Sequence, residues 1–160
     1  MADDLIFAEL KRDHDRHRDL LERIVSSDPD SEERAVLFEQ LRVELQAHAA
    51  AEEESLYATM LANPDLRDEA RHSVAEHKEI DDYLGQLVEA DPSSDAWAKI
   101  FKELRHRYLH HIEEEEEEMF PAAARDLDEE TKVRLAAVFE KRKPKELERA
   151  EDELPGDARE

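Results

Sequence analysis

Two copies of one histidine–glutamate pattern, offset by a constant 63 positions, constrain this chain more than any other feature. His14, His48 and Glu52 recur as His77, His111 and Glu115. Each copy reads His, a long gap, then His-x-x-x-Glu. The register extends beyond these residues. It pairs Leu21 with Leu84, Val25 with Val88, Asp28-Pro29 with Asp91-Pro92, Ser31 with Ser94, Phe38 with Phe101, Leu41 with Leu104 and Glu53 with Glu116. Two related units that share core positions, turn residues and polar pattern without a gap predict two similar substructures packed face to face.

Those units are helical. Only two glycines occur among 160 residues, and apolar residues recur at helical spacing. Leu10, Leu20, Leu21 and Ile24 mark a first helix, and Leu37, Phe38, Leu41 and Leu45 a second. Ile80, Leu84 and Leu87 mark a third, and Phe101, Leu104, Tyr108 and Ile112 a fourth. Asp28-Pro29, Asn63-Pro64 and Asp91-Pro92 read as N-caps followed by proline at the first helical position. The predicted helices span roughly 3–26, 30–62, 65–90 and 93–124, with a short fifth over roughly 129–142. The fold expected is all-α, an up-down-up-down four-helix bundle with a pseudo-twofold repeat. Residues 1–143 form the bundle domain, and residues 144–160, with Pro144, Pro155 and mixed charge, form a flexible charged tail that frays.

Composition excludes several function classes. A net charge of −22 leaves no basic surface for phosphate backbones or anionic lipid, so neither nucleic acid nor a membrane is expected as partner. Cysteine is absent, which excludes disulfides and thiolate metal sites and fits a reducing, cytoplasmic setting. The segment MADDLIFAELKRDHD lacks the basic stretch and apolar run of a secretory signal, and no apolar run reaches the ~18 residues of a membrane span.

The chemistry lies in the repeat. A histidine and a glutamate four residues apart share one helix face, where they bind one ion or the carboxylate bridges two. His14 and His77 add one imidazole from each remaining helix. Four imidazoles and two carboxylates, without thiolate, suit two ions of iron, manganese or zinc. Glu113 to Glu118 would alone read as a solvated acidic face, and only Glu115 has the right phase to His111. A ferritin-like site uses Glu-x-x-His at i, i+3, the reverse order and a different spacing. A metal-free bundle would crowd carboxylates around histidines at high cost.

The segments KRDHDRHRDLLERI, LQAHAAAEEESLYATM, VAEHKEIDDYL and YLHHIEEEEEEMFPAAAR resemble the haemerythrin-like HHE cation-binding domain over roughly residues 5–125. That resemblance implies a four-helix bundle holding two non-haem iron ions, oxo- or hydroxo-bridged. It implies one iron on His14 and His48, the other on His77 and His111, with Glu52 and Glu115 as bridges. Oxygen-carrying haemerythrins have a fifth histidine four residues before the one matched by His77; here Ser73 stands there. His72 is five residues before His77, roughly 140° around the helix, out of phase unless the helix bulges. His17, His106 and His110 are read as non-ligands, with His17 or His110 open to a supporting role beside a ligand. The expected function is therefore a di-iron protein that senses, detoxifies or stores, taking oxygen, peroxide or nitric oxide as small-molecule partner, rather than an oxygen transporter. Weak peroxidase or catalase-like turnover is left open, and a non-enzymatic metal-regulated sensor or interaction domain is the alternative.

Overall fold

A computed structural model describes residues 5–156 and, among them, no strand. Helix α1 spans Leu5–Ser26, and α2 spans Glu32–Glu52. A π-helical turn, Glu53–Tyr57, leads into the short α3, Ala58–Ala62. Helix α4 spans Arg67–Glu89 and α5 Asp95–Glu114; a second π-helical turn, Glu115–Met119, leads into α6, Phe120–Asp126. Helix α7 spans Glu129–Asp152. Helices α1 and α2 pack as one hairpin, α4 and α5 as another, and α7 lies along α2 and α1. The chain is all-helical, as its composition predicts; positions 3 and 4 of the predicted first helix lie outside the described residues.

The Asp-Pro signals prove to be turns three residues before the caps. Asp28 Oδ1 accepts the Asp30 N–H and Asp91 Oδ1 accepts the Ser93 N–H, each at 3.0 Å. The caps are Ser31 and Ser94, whose hydroxyls accept from Arg34 N and Trp97 N at 3.1 Å. Aspartate closes an Asx turn over the proline, and serine then satisfies the first free helix N–H. Asn63-Pro64 forms the same turn, with Asp65 N donating to Asn63 Oδ1 at 2.9 Å.

The expected fraying beyond Lys143 is overturned as far as Asp152. Pro144 removes one N–H and leaves the Glu140 carbonyl without its helical donor, yet α7 continues through it. Tertiary contacts hold the extension. Lys143, Glu146 and Ala150 are buried, and Arg42 on α2 donates to the Ala150 and Glu153 carbonyls at 3.0 and 3.2 Å. Gly156 N–H donates to Asp81 on α4 at 2.8 Å. Residues 157–160 of the expected tail lie outside the described residues.

The apolar interior is divided. One cluster gathers Ile6, Leu10, Tyr57, Met60, Phe120 and Phe139. The other gathers Leu21, Ile24, Leu41, Leu84, Trp97 and Leu104. The four repeat histidines sit between the two, each one or two helical turns from residues of both. A buried polar layer thus crosses a core whose two ends supply the hydrophobic stabilisation.

Candidate metal centre

The structure brings all six sequence-predicted residues into that layer, and all six are buried. His14 Nε2 lies 3.4 Å from Glu115 Oε1 and His111 Nε2 3.2 Å from the same oxygen. His48 Nε2 lies 3.5 Å from Glu52 Oε1, and His77 Nε2 3.3 Å from it. Each carboxylate therefore reaches one imidazole from each hairpin. The donor atoms fall into two groups, His14, His48 and Glu115, and His77, His111 and Glu52.

These inward atoms lack partners. His14 Nε2, His48 Nε2, His111 Nε2, both oxygens of Glu52 and Glu115 Oε1 are buried without a hydrogen bond. Buried polar atoms are almost always satisfied, so a cluster of orphans aimed at one another marks a place for cations. The donor set of imidazole and carboxylate fits two ions of that kind.

Every outward nitrogen is satisfied, and by a carboxylate. The Nδ1 atoms of His14, His48, His77 and His111 lie 2.6–2.8 Å from Glu116, Asp13, Glu53 and Glu76 respectively. Each carboxylate holds Nδ1–H as donor, which leaves Nε2 free as an inward ligand atom and orients the ring. These four residues were missed as functional. Their signal was in the sequence: Asp13 and Glu76 precede the first histidine of each copy, and Glu53 and Glu116 follow each glutamate. Glu116 in particular belongs to the centre's support, not to a solvated face.

The π-helical turns contribute the next piece. In a regular α-helix a residue five positions on is turned roughly 140° away. The wide turn after each glutamate closes with Ala58 N–H on Glu53 O and Phe120 N–H on Glu115 O. Tyr57 and Phe120, five residues after Glu52 and Glu115, return to the centre's face. Tyr57 stacks on His77 at 5.2 Å and Phe120 on His14 at 6.0 Å. π-helical turns are frequent at functional sites. Tyr57 also donates to Glu115 Oε2 at 2.6 Å, a bond Phe120 has no hydroxyl to repeat toward Glu52.

Electrostatics follow from this geometry. Burial opposes charge on His48 and His111, but neighbouring carboxylates outweigh it, raising them to about 9 and about 10. For His48 the Asp13 bond leads these, and for His111 the Glu115 charge. Without cations His48 and His111 carry protons beside Glu52 and Glu115. Burial, then the Glu115 and Glu52 charges, push the Tyr57 phenol well above its ordinary value, so it remains a donor.

The other histidines separate clearly. His17 is buried, 2.6 Å from Tyr108 Oη and 3.2 Å from Glu44 Oε1. Burial lowers it to about 3, so it is neutral. His72 is 63% exposed and points away from the centre toward Glu76 and Glu114. Ser73 is buried against Met119 Sδ at 3.9 Å, so no fifth imidazole enters from that position. His106 and His110 are exposed. A cavity of about 370 Å³, lined by His48, Ala49, Glu53, His77, Tyr108 and Arg149 among others, reaches the layer between α2, α4 and α7.

The family model of the Hemerythrin HHE cation binding domain matches residues 5–123, which hold all six inner donors and all four outer carboxylates. Among solved structures, a Hemerythrin HHE cation binding domain-containing protein from Mycobacterium kansasii is similar, with a TM-score of 0.76 and 25% identity. That match covers 88% of this chain and 85% of the other. No curated protein sequence matches. With the duplicated histidines and glutamates meeting in one buried layer and the family model spanning them, the chain belongs to the hemerythrin HHE cation-binding family.

Proposed function

We propose that this chain is a non-haem di-iron protein that takes oxygen, peroxide or nitric oxide for sensing, detoxification or storage, and not for oxygen transport. Its two hairpins form an up-down-up-down four-helix bundle with pseudo-twofold symmetry. His14 and His48 would hold one iron and His77 and His111 the other, with Glu52 and Glu115 as the carboxylates shared between them. The observation that carries the reading is the equality of the two donor groups, two imidazoles and one close carboxylate each. A carrier benefits from one saturated and one open iron; here Ser73 and the outward His72 leave neither position favoured.

Bound iron would supply redox and Lewis-acid chemistry. The chain's own residues do the rest. Asp13, Glu53, Glu76 and Glu116 hold the imidazole tautomers and aim Nε2 inward. The two apolar clusters exclude bulk water from both ends of the layer. The cavity beside His77 and Glu53 admits a small molecule. Tyr57 places the one neutral hydroxyl donor bonded to a bridging carboxylate, where it steadies Glu115.

The net charge of −22 supports an absence of nucleic-acid partners, and the lack of cysteine fits a cytoplasmic setting. No helix among the described residues is long and apolar enough to cross a membrane. A metal-regulated sensor is the second reading, favoured by one connection: His48 reaches Lys143 on α7 through Asp13, so occupancy of the centre is felt on that helix.

The test is the visible spectrum of the iron-loaded protein. Peroxide should change the iron bands, and a vacuum should not restore them. A reversible oxygen spectrum that survives repeated oxygen and vacuum cycles contradicts the proposal. Undiminished fold change on metal removal without any response to peroxide favours the sensor.

A further inference from the structure

The cavity between α2, α4 and α7 ends on His48 and His77, one imidazole from each donor group. One of its edges is chain that belongs to no long helix. Beyond α7, residues Glu153 to Gly156 leave the helix and cross from α2 to α4. The Glu153 carbonyl accepts from Gln46 Nε2 at 2.9 Å and from Arg42 Nη1 at 3.2 Å, both on α2. Gly156 N–H donates to Asp81 Oδ2 on α4 at 2.8 Å. Gln46, Glu153 and Asp81 all line the cavity, so the crossing runs from one of its walls to another. Three Cα steps reach at most about 11 Å, so that crossing is short.

Both anchors are built into the fold. Arg42 is buried, and the same Nη1 also holds the Ala150 carbonyl at 3.0 Å. Gly156 has φ +53°, a conformation that glycine adopts without steric cost. A Cβ there would stand 2.9 Å from the Asp81 carbonyl oxygen, 3.3 Å from Asp82 Cα and 3.4 Å from Gly85 Cα. The two glycines of the chain thus meet where the crossing touches α4. Pro155, between the anchors, is buried, and its ring fixes φ. A frayed end would need none of these features.

We propose that Glu153–Gly156 is a strap that gates the cavity, and with it the access of solutes to the buried layer. The end that opens is Gly156. Its release moves only the chain beyond Glu153, whereas release of Glu153 disturbs the end of α7 that Arg42 clamps. Local opening of this kind leaves the packed helices in place. With the strap down, bulky solutes are kept from His48 and His77; with the Gly156 end released, they reach them. That the passage serves oxygen, peroxide or nitric oxide rests on the function proposed above; the gating itself does not.

The experiment is carbethoxylation of histidines in the full-length, metal-free protein, read by mass spectrometry. Wild type is compared with Gly156→Val and Asp81→Ala. Valine is strained at the Gly156 φ and collides with the α4 backbone; alanine removes the acceptor of the Gly156 N–H. Neither position is a donor of the layer or one of its four outer carboxylates. In both variants His77 should be modified roughly 10-fold faster or more, in proportion to the open population. His17, buried and not among the cavity's lining residues, should keep its rate. Iron-loaded variants should also release iron faster to a bulky chelator. Modification of His77 at the wild-type rate in both variants would overturn the strap as a gate. So would equal acceleration at His17, which marks general loosening of the bundle. A chain that takes up no iron defeats the proposed function and leaves the labelling result standing.

Discussion

The two hairpins differ most where they resemble each other least in sequence, behind the inner donors. In the α1–α2 half, Asp13 is held by His48 at 2.8 Å and by Lys143 at 2.7 Å. Lys143 also reaches Glu44, which His17 and Arg16 approach at 3.2 Å. In the α4–α5 half, the repeat places Ile80 where His17 stands, Arg107 where Glu44 stands and Leu45's partner Tyr108 across the layer. There Glu76 meets His111 at 2.8 Å and the exposed His72 at 3.5 Å. Helix α7 explains the difference: it is not duplicated, and it covers one hairpin. The repeat preserves what an ion requires, an imidazole with a carboxylate behind it. What lies beyond is free to diverge, and one half became a buried charge cluster.

The largest effect should come from the residues that join the halves. Glu52→Ala or Glu115→Ala removes a carboxylate touching one histidine of each hairpin, so both ions should be lost together in elemental analysis. Loss of only one would place that glutamate in one half alone.

Chelation should come next. A ligand present at about 1,000 times its Kd stabilises by roughly 4 kcal/mol. At about 2–4 °C per kcal/mol for a domain near this size, Tm should fall on the order of 10 °C on metal removal.

The halves themselves are compared by Lys143→Met and Arg107→Met. The first leaves Asp13 and Glu44 buried with less compensation and should cost on the order of 3 kcal/mol in denaturant unfolding. The second breaks an exposed pair with Glu79 and should cost at most about 0.5 kcal/mol. Equal costs would erase the asymmetry.

The pH response sharpens the same contrast. His48 and His111 are raised to about 9 and about 10 from 6.5. Their contribution to the metal-free fold is complete below pH 6.5 and is lost as pH rises through about 9 to 10. Metal-free protein should therefore lose part of its stability between those limits, while metal uptake at neutral pH should release protons and strengthen as pH rises. Calorimetry in buffers of different ionisation enthalpy measures the release.

Tyr57→Phe should have no effect on metal content and a modest one on stability. It makes position 57 match Phe120 and removes one bond to a carboxylate, worth about 1.5–3 kcal/mol, less any relief of its buried partner.

Much of this was legible in the chain. The 63-residue register located six residues that the structure brings into one layer, because helical phase and duplication are properties of sequence alone. The outer carboxylates obeyed the same register but were masked by a composition in which acidic residues are everywhere; Glu116 sits in a run of six glutamates. Lys143 was invisible because nothing in the repeat corresponds to α7. Pro144 reads locally as a helix breaker, and only the packing of Lys143, Glu146 and Ala150 on the bundle carries the helix past it. Serine, not aspartate, caps α2 and α5, since the Asp-Pro pairs are consumed in the preceding turns.

The most direct test of the central claim is iron content per chain in the wild type beside His14→Ala/His48→Ala and His77→Ala/His111→Ala. The account predicts two irons in the wild type and one in each double variant, with the remaining iron in the intact half. Two irons retained in either variant, or none taken up by the wild type under reconstitution, would contradict the assignment of these six residues to a two-metal centre.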